Sequence, residues 1–125
     1  MKYLILLFTF FGIANSNAQT DLEQQYADIE SKVIEWRRHF HQNPELSNRE
    51  FKTGKKIAEH LKSLGIEVQT GVAHTGVVGI LKGDSSGKVI ALRADIDALP
   101  VTERNNLPFK SEIKTTFLNT ETGVM

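Results

Sequence analysis

Val89-Ile90-Ala91-Leu92 is an uninterrupted run of apolar residues. A strand with one face in water alternates apolar and polar residues, whereas a strand covered on both faces does not need to. The run therefore predicts a buried, central strand over residues 88–95. Residues 66–70 and 76–82 have strand-like patterns too, and residues 83–87 predict a hairpin loop. These connections are too short for helical crossovers, so neighbouring strands should be antiparallel.

An amphipathic helix is predicted upstream, between residues 20 and 41. Apolar residues recur there at steps of three and four, which places them on one helical face. The stripe would suit a short coiled coil, but its limited length favours packing against a sheet. Thr20 and Glu23 have the spacing of an N-terminal capping box, which predicts that the helix begins at Thr20.

A second helix is predicted after Pro44, which ends the first one. Ser47 and Glu50 again have capping-box spacing, and Gly65 is suited to the left-handed position that follows a helix. Beyond Pro100 the pattern weakens into a long loop with a short strand at residues 113–117. The fold class is therefore α/β, with two N-terminal helices followed by part of a mixed sheet.

Composition excludes several classes of function. The chain has 125 residues, with 15 Lys and Arg against 15 Asp and Glu, and its pI is about 6.9. This balance does not provide the basic surface that nucleic-acid binding requires, so no nucleic-acid partner is expected. No cysteine is present, which excludes disulfides, thiolate metal ligands and a cysteine nucleophile.

The N-terminus has the layout of a signal peptide. Lys2 precedes an apolar stretch of about a dozen residues, shorter than a membrane-spanning helix needs. Ser16 and Ala18 are small residues at the positions that signal peptidase prefers. We expect residues 1–18 to be removed, leaving residues 19–125 exported to the periplasm or secreted, without a stable membrane anchor.

The polar cluster Arg93-Ala94-Asp95-Ile96-Asp97 follows the predicted central strand. Ligands of α/β sheets bind beyond the carboxyl ends of strands, so the cluster is well placed for a site. Asp95 and Asp97 would share a face only if the strand stayed extended, and an Arg–Asp pair ending a strand remains the alternative. The histidines offer less, because His39 and His41 would point about 200° apart on a helix.

Five ordered motifs resemble the start of the M20-type metal-dependent amidohydrolases, a family that includes N-acyl-amino-acid amidohydrolases, hippurate hydrolases and indole-acetyl-amino-acid hydrolases. They are Arg37-Arg38-His39-Phe40-His41-Gln42-Asn43-Pro44-Glu45-Leu46, Glu50-Phe51-Lys52-Thr53, His74-Thr75-Gly76-Val77-Val78, residues 91–100 with Glu103, and Leu107-Pro108-Phe109. The resemblance implies a zinc-peptidase-like catalytic domain, of which residues 19–125 would be an incomplete N-terminal part. It also implies a smaller inserted dimerisation domain, so a homodimer is expected only with that domain.

The resemblance implies hydrolysis of the amide bond in small N-acyl amino acids by a two-metal site of zinc, manganese or cobalt. Asp95 would be an orienting carboxylate, Asp97 a weaker second candidate for that role, and Arg93 the ion-pair partner of one of them. Arg93 stands where the wider clan has a histidine ligand, and guanidinium cannot ligate a cation. The family's Cys-Gly-His-Asp ligands would follow Met125, so we expect no metal ligand, no bound metal and no activity within this chain.

Two other functions fit parts of the sequence. Asp95 and Asp97 could be the nucleophile and acid of a haloacid-dehalogenase-like phosphatase, but two helices precede the strand and Leu99 departs from that family's pattern. Alternatively, the chain is a small secreted binding domain without enzymatic activity. Such a domain would be a stable monomer that unfolds cooperatively.

Overall fold

The computed structural model describes residues 16–84 and 86–125, with side chains from residue 21 onward. Its elements are helices α1 (Ser16–Gln42) and α2 (Phe51–Ser63), followed by strands β1 (Glu67–Val72), β2 (Gly76–Ile80), β3 (Lys114–Phe117) and β4 (Thr120–Gly123). β1 pairs with β2 and β3 with β4, both antiparallel. The predicted order, two helices and then antiparallel strands, is confirmed. The chain divides into two compact units, one up to Arg37 and the other from Arg38 to Met125.

Helix α1 begins earlier than predicted. It already includes residues 16–19, so Thr20 lies inside the helix and the predicted capping box there is wrong. The side chains of Leu22, Tyr26 and Ile29 are at least half exposed, so this part of the apolar stripe is not buried as predicted. Among the described residues, no helix combines the length and apolarity needed to cross a membrane.

A carboxylate from outside helix α2 caps its N-terminus. The N-cap residue Glu50 makes no side-chain capping bond, so the predicted Ser47–Glu50 capping box is wrong. Instead, the backbone N–H groups of Lys52 and Thr53 donate to the Glu45 carboxylate at 3.3 and 2.8 Å. The Thr53 hydroxyl donates to the same carboxylate at 2.9 Å. Glu45 therefore satisfies the free donors and interacts favourably with the positive end of the helix dipole.

Replacing Glu45 with alanine is expected to lower the free energy of unfolding by about 1–2 kcal/mol, the usual cost of losing an N-terminal cap. Urea denaturation measures this loss. Glu59→Ala is the matched control, since it removes only an exposed pair with Lys55 at 3.8 Å and should cost at most about 0.5 kcal/mol. Equal losses in the two variants would show that Glu45 is not a cap.

The C-terminal end of α2 matches its prediction. Gly65 has a φ of 75°, and its N–H donates to the Lys62 carbonyl, while the Ile66 N–H donates to the Leu61 carbonyl. These are the two bonds of a Schellman motif, which glycine favours because it tolerates a left-handed backbone. The motif turns the chain directly into β1.

Helix α2 packs on the β1–β2 hairpin through small residues. Thr53, Gly54 and Ala58 are buried, whereas Phe51 is largely exposed. A Cβ atom added to Gly54 would lie 2.9 Å from the Thr75 carbonyl oxygen. Such close approach of helix and hairpin requires glycine at this position.

Gly54→Ala is therefore expected to destabilise the chain by about 1–3 kcal/mol through overpacking. In an open helical position the same change would stabilise by up to about 1 kcal/mol, because alanine is the better helix former. Thermal unfolding shows whether Gly54→Ala lowers or raises the melting temperature. Gly87→Ala is the control because a Cβ there meets no atom within 4 Å, and an unchanged or raised melting temperature for Gly54→Ala would contradict the packing argument.

Residues 88–95 do not form the predicted central strand. Val89 and Leu92 are almost fully exposed, and no described segment pairs with this stretch. A strand needs a neighbouring backbone for its hydrogen bonds, and without one the apolar pattern alone does not produce a sheet. The strands that would flank the hairpin loop predicted at residues 83–87 are consequently not paired with each other, and residue 85 of that loop lies outside the described residues. The short strand predicted at residues 113–117 is confirmed as β3.

Candidate active site

Two backbone contacts hold the segment that contains the predicted aspartates. Leu46 and Ala98 form a parallel bridge, and the Ala98 N–H donates to the Glu45 carbonyl at 2.8 Å. On the other side, Leu99 and Met125 exchange two backbone hydrogen bonds of 2.8 and 3.0 Å. The segment leading to Leu99 is thus fixed between the chain before α2 and the residues after β4.

Asp95 and Asp97 line one cavity of about 380 Å³. Its apolar wall includes Phe40, Ile57 and Met125. The sequence left open whether the two carboxylates would lie together, and the structure places both at this cavity. Both are exposed residues, as expected for groups that meet a ligand from solvent.

Arg93 Nη2 donates to Asp95 Oδ1 at 2.7 Å. Both side chains of this ion pair are mostly exposed, at 88% and 72%, so it adds little stability. Its effect is on orientation, because the bond fixes one oxygen of Asp95. Asp97 makes no hydrogen bond or ion pair with another described residue.

A partly buried pair, His41 and Glu103, joins the end of α1 to the long loop. His41 Nε2 and Glu103 Oε1 lie 2.9 Å apart, and the Glu103 side chain is 1% exposed. The Ser111 N–H donates to the other carboxylate oxygen at 2.6 Å. Phe109 packs edge-on against the His41 ring and lies under the Arg38 guanidinium. His41 also lines the cavity that holds Asp95 and Asp97.

Burial raises the pKa of Glu103, but hydrogen bonds from His41, the Ser111 backbone and the Asn105 side chain outweigh it, and the net pKa is lowered. Hydrogen bonds to a carboxylate favour its charged form. Glu103 is therefore ionised at neutral pH and acts only as a hydrogen-bond acceptor. This fixes the direction of its bond with His41, which must donate.

The described residues do not make a metal site by themselves. Within residues 16–84 and 86–125, no three histidine, aspartate or glutamate side chains come close enough to hold an ion. At the cavity, one oxygen of Asp95 is bound by Arg93, and both oxygens of Glu45 accept hydrogen bonds from the start of α2. A catalytic zinc site needs three protein ligands, so no ligand role is assigned to a described residue.

Sequence reasoning singled out Asp95, Asp97 and Arg93 but missed His41, Glu103 and Glu45. His41 and Glu103 are 62 residues apart, and no local periodicity connects positions so distant. Glu103 sits in a loop without a regular pattern, where burial is not readable from the sequence. The motifs that contain His41, Glu45 and Glu103 were the only available signal.

Comparisons with known proteins give consistent matches. The chain is 50% identical over 94 residues to thermostable carboxypeptidase 2 of Saccharolobus solfataricus, covering 74% of this chain and 24% of that protein. It is 45% identical over 92 residues to hippurate hydrolase of Campylobacter jejuni, with the same coverage. It is also 39% identical over 92 residues to an N-acyl-L-amino acid amidohydrolase of Geobacillus stearothermophilus, covering 74% of this chain and 25% of that protein.

A solved structure matches too. It is a Bacillus subtilis protein described as a dinuclear metal binding peptidase from the M20 family, with a TM-score of 0.67 and 41% identity. The match covers 79% of this chain and 26% of that one. No family model matches the chain. The chain spans about a quarter of the length of these relatives.

Proposed function

Because this chain belongs to the M20 family of amidohydrolases, we propose that its unit from Arg38 to Met125 carries part of the active site of a metal-dependent hydrolase of N-acyl amino acids. The observation that supports this is the cavity of about 380 Å³ whose wall includes Asp95 and Asp97. The relatives named as hippurate hydrolase and N-acyl-L-amino acid amidohydrolase support the substrate class.

In this proposal the described residues position the reaction but do not ligate the metal. Arg93 donates to one oxygen of Asp95, which leaves the second oxygen available to accept a hydrogen bond. The apolar wall excludes water from a bound acyl group. The metal ligands come from sequence beyond this quarter of the relatives' length, and zinc, manganese and cobalt are the candidate ions.

A chimera tests the proposal. The segment of this chain that aligns with Campylobacter jejuni hippurate hydrolase replaces the corresponding segment of that enzyme, and metal-dependent release of glycine from hippurate is measured. We expect an active chimera in which Asp95→Ala lowers kcat about 10- to 100-fold, the usual effect of losing an orienting group near a metal.

Asp84→Ala is the control for the chimera because Asp84 is an exposed loop residue away from the cavity. It should leave kcat unchanged. An Asp95→Ala chimera that folds and keeps full kcat would contradict the proposed role of Asp95. A folded but inactive chimera would contradict the proposed function itself.

The 125-residue chain alone is expected to release no amino acid from hippurate or N-acetyl-methionine. It is also expected to bind zinc no more tightly than an ordinary protein surface, because three protein ligands are needed. Calorimetric titration with zinc checks the second point. Submicromolar, stoichiometric binding would show that the chain itself holds a metal site.

We also propose that the protein is exported and cut after Ala18. Residues 1–15 lie outside the described residues, so this proposal rests on the signal-peptide layout of the sequence. Mass spectrometry of the exported product tests it. A product that begins at Gln19 is expected, and a mass that retains residues 1–18 would contradict cleavage.

A further inference from the structure

The polar side chains around the cavity share one property: none has a hydrogen-bond donor free for a ligand. Asp95 and Asp97 are carboxylates, and the Glu45 carboxylate caps α2. The Thr53 hydroxyl, the one lining alcohol, donates to Glu45 at 2.9 Å. A ligand that meets these groups must bring its own donor, since two acceptors cannot bond to each other.

His41 adds a further acceptor. Its Nε2 atom is bonded to Glu103 at 2.9 Å, and its Nδ1 atom has no hydrogen-bond partner among the described residues. No buried side-chain nitrogen or oxygen of the described residues is without a partner. Nδ1 must therefore be reachable from outside, on a ring that lines the cavity.

The partner of His41 determines what Nδ1 can do. Ionised Glu103 accepts only, so neutral His41 carries its proton on Nε2 and donates it to Glu103. Nδ1 is then left with a lone pair. The ring is held in place from one side by Glu103 and from another by the edge-on contact with Phe109 at 5.6 Å. Nδ1 is thus a positioned acceptor, in an orientation that the protein has already fixed.

We propose that His41 Nδ1 accepts a hydrogen bond from the amide N–H of a ligand whose apolar group lies against Phe40, Ile57 and Met125. The inference rests on the proposed function and names how this part of the site recognises an N-acyl amino acid. The amide N–H is the donor of that substrate class, and the acyl group supplies the apolar part. His41 is then a binding residue and Glu103 the residue that positions it.

Two benzamide probes, one with an amide N–H and one with a second N-methyl group in its place, test the inference. N-methylbenzamide has an aromatic ring and an amide N–H, whereas N,N-dimethylbenzamide has the same ring without the N–H. Equilibrium dialysis of the 125-residue chain should show about 2- to 13-fold tighter binding of the first probe, the worth of one net hydrogen bond. The experiment involves neither metal nor hydrolysis, so its result is independent of whether the proposed function holds.

His41→Gln separates recognition from folding. The glutamine amide can still donate to Glu103 from roughly the place of Nε2, but it has no atom in place of Nδ1. We expect this variant to retain its melting temperature and to bind both probes equally. His39→Gln is the control, since His39 does not line this cavity, and it should keep the preference for N-methylbenzamide.

Solid-state NMR of the histidine-labelled chain gives a second readout, with the His41 signal identified by its loss in His41→Gln. The neutral ring is expected to carry its proton on Nε2. The inference is overturned by an Nδ1-protonated neutral ring, by equal or absent binding of the two probes, or by a preference that survives in His41→Gln. Tighter binding of benzylammonium than of N-methylbenzamide by both the natural chain and His41→Gln would also overturn it, because charge would then govern binding.

Discussion

The chain is expected to self-associate through the exposed run Val89-Ile90-Ala91-Leu92, and replacing Ile90 with lysine is expected to make it sediment as a monomer. Val89, Ile90 and Leu92 are 97%, 83% and 96% exposed. They belong to an exposed run of four apolar residues between Lys88 and Arg93, whose backbone is not paired with any described segment and is therefore open to pairing with a second copy. A lysine in the middle of the run would place a charge inside any such pairing.

Sedimentation velocity at several concentrations measures the effect. Leu118→Lys is the matched control, because Leu118 is equally exposed at 82% but lies outside the run, at the turn between β3 and β4. It should associate like the natural chain. A natural chain that is monomeric and unfolds cooperatively would instead favour the small binding domain considered from the sequence.

The sequence predicted the elements whose signals are local. The periodicity of α2, the glycine that follows it and the tight β1–β2 connection all lie within a few residues of the structure they specify. Their order therefore followed from the pattern alone. The starts of both helices were predicted wrongly. At α2, Ser47 and Glu50 have the spacing of a capping box, but the carboxylate of Glu45, which lies further upstream, accepts the hydrogen bonds of the N-terminal N–H groups instead.

The failed prediction of a strand at residues 88–95 has a different cause. An apolar run such as Val89-Ile90-Ala91-Leu92 is typical of a strand that is covered on both faces and has a neighbouring strand on each side. Whether those neighbours are present is not encoded in the run. The residues of the candidate site also differ in whether a local signal predicts them. Asp95 and Asp97 were found from their place after the run, while the His41–Glu103 pair depends on a contact across 62 residues.

The chain is also expected to lose stability in acid, as the pH falls through the ordinary carboxyl pKa of about 4.3 and below it. Burial raises the pKa of Glu50, but hydrogen bonds from its own backbone, the Thr75 hydroxyl and the backbone of Asn48 and Arg49 outweigh it, and the net pKa is lowered. The pKa of Glu103 is lowered as well. In the unfolded chain both carboxyls titrate near their ordinary pKa of about 4.3.

The direction of this pH dependence follows from the number of protons that the folded and the unfolded chain bind. Near pH 4 the unfolded chain binds more protons than the folded one, so acidification favours unfolding. The stabilisation from the two carboxylates is complete above their ordinary pKa and is lost as the pH falls through the lowered values. The uptake of protons on unfolding near pH 4 should therefore include a contribution from each of the two carboxylates.

Glu50→Gln tests this dependence. In the natural chain the Thr75 hydroxyl donates to Glu50 Oε2 at 2.8 Å, and glutamine keeps an oxygen that can accept this bond but cannot titrate. Its free energy of unfolding at pH 7 should be lower than that of the natural chain, and its proton uptake on unfolding should be smaller, because the substituted side chain does not titrate. Urea titrations at pH 7, 5, 4 and 3 measure both quantities.

Glu35→Gln is the control, because it removes an exposed carboxylate of α1 that only reaches Lys32 at 3.9 Å. If Glu50→Gln and Glu35→Gln have the same pH dependence as the natural chain, the hydrogen bonds to Glu50 do not contribute to its stability in the way described.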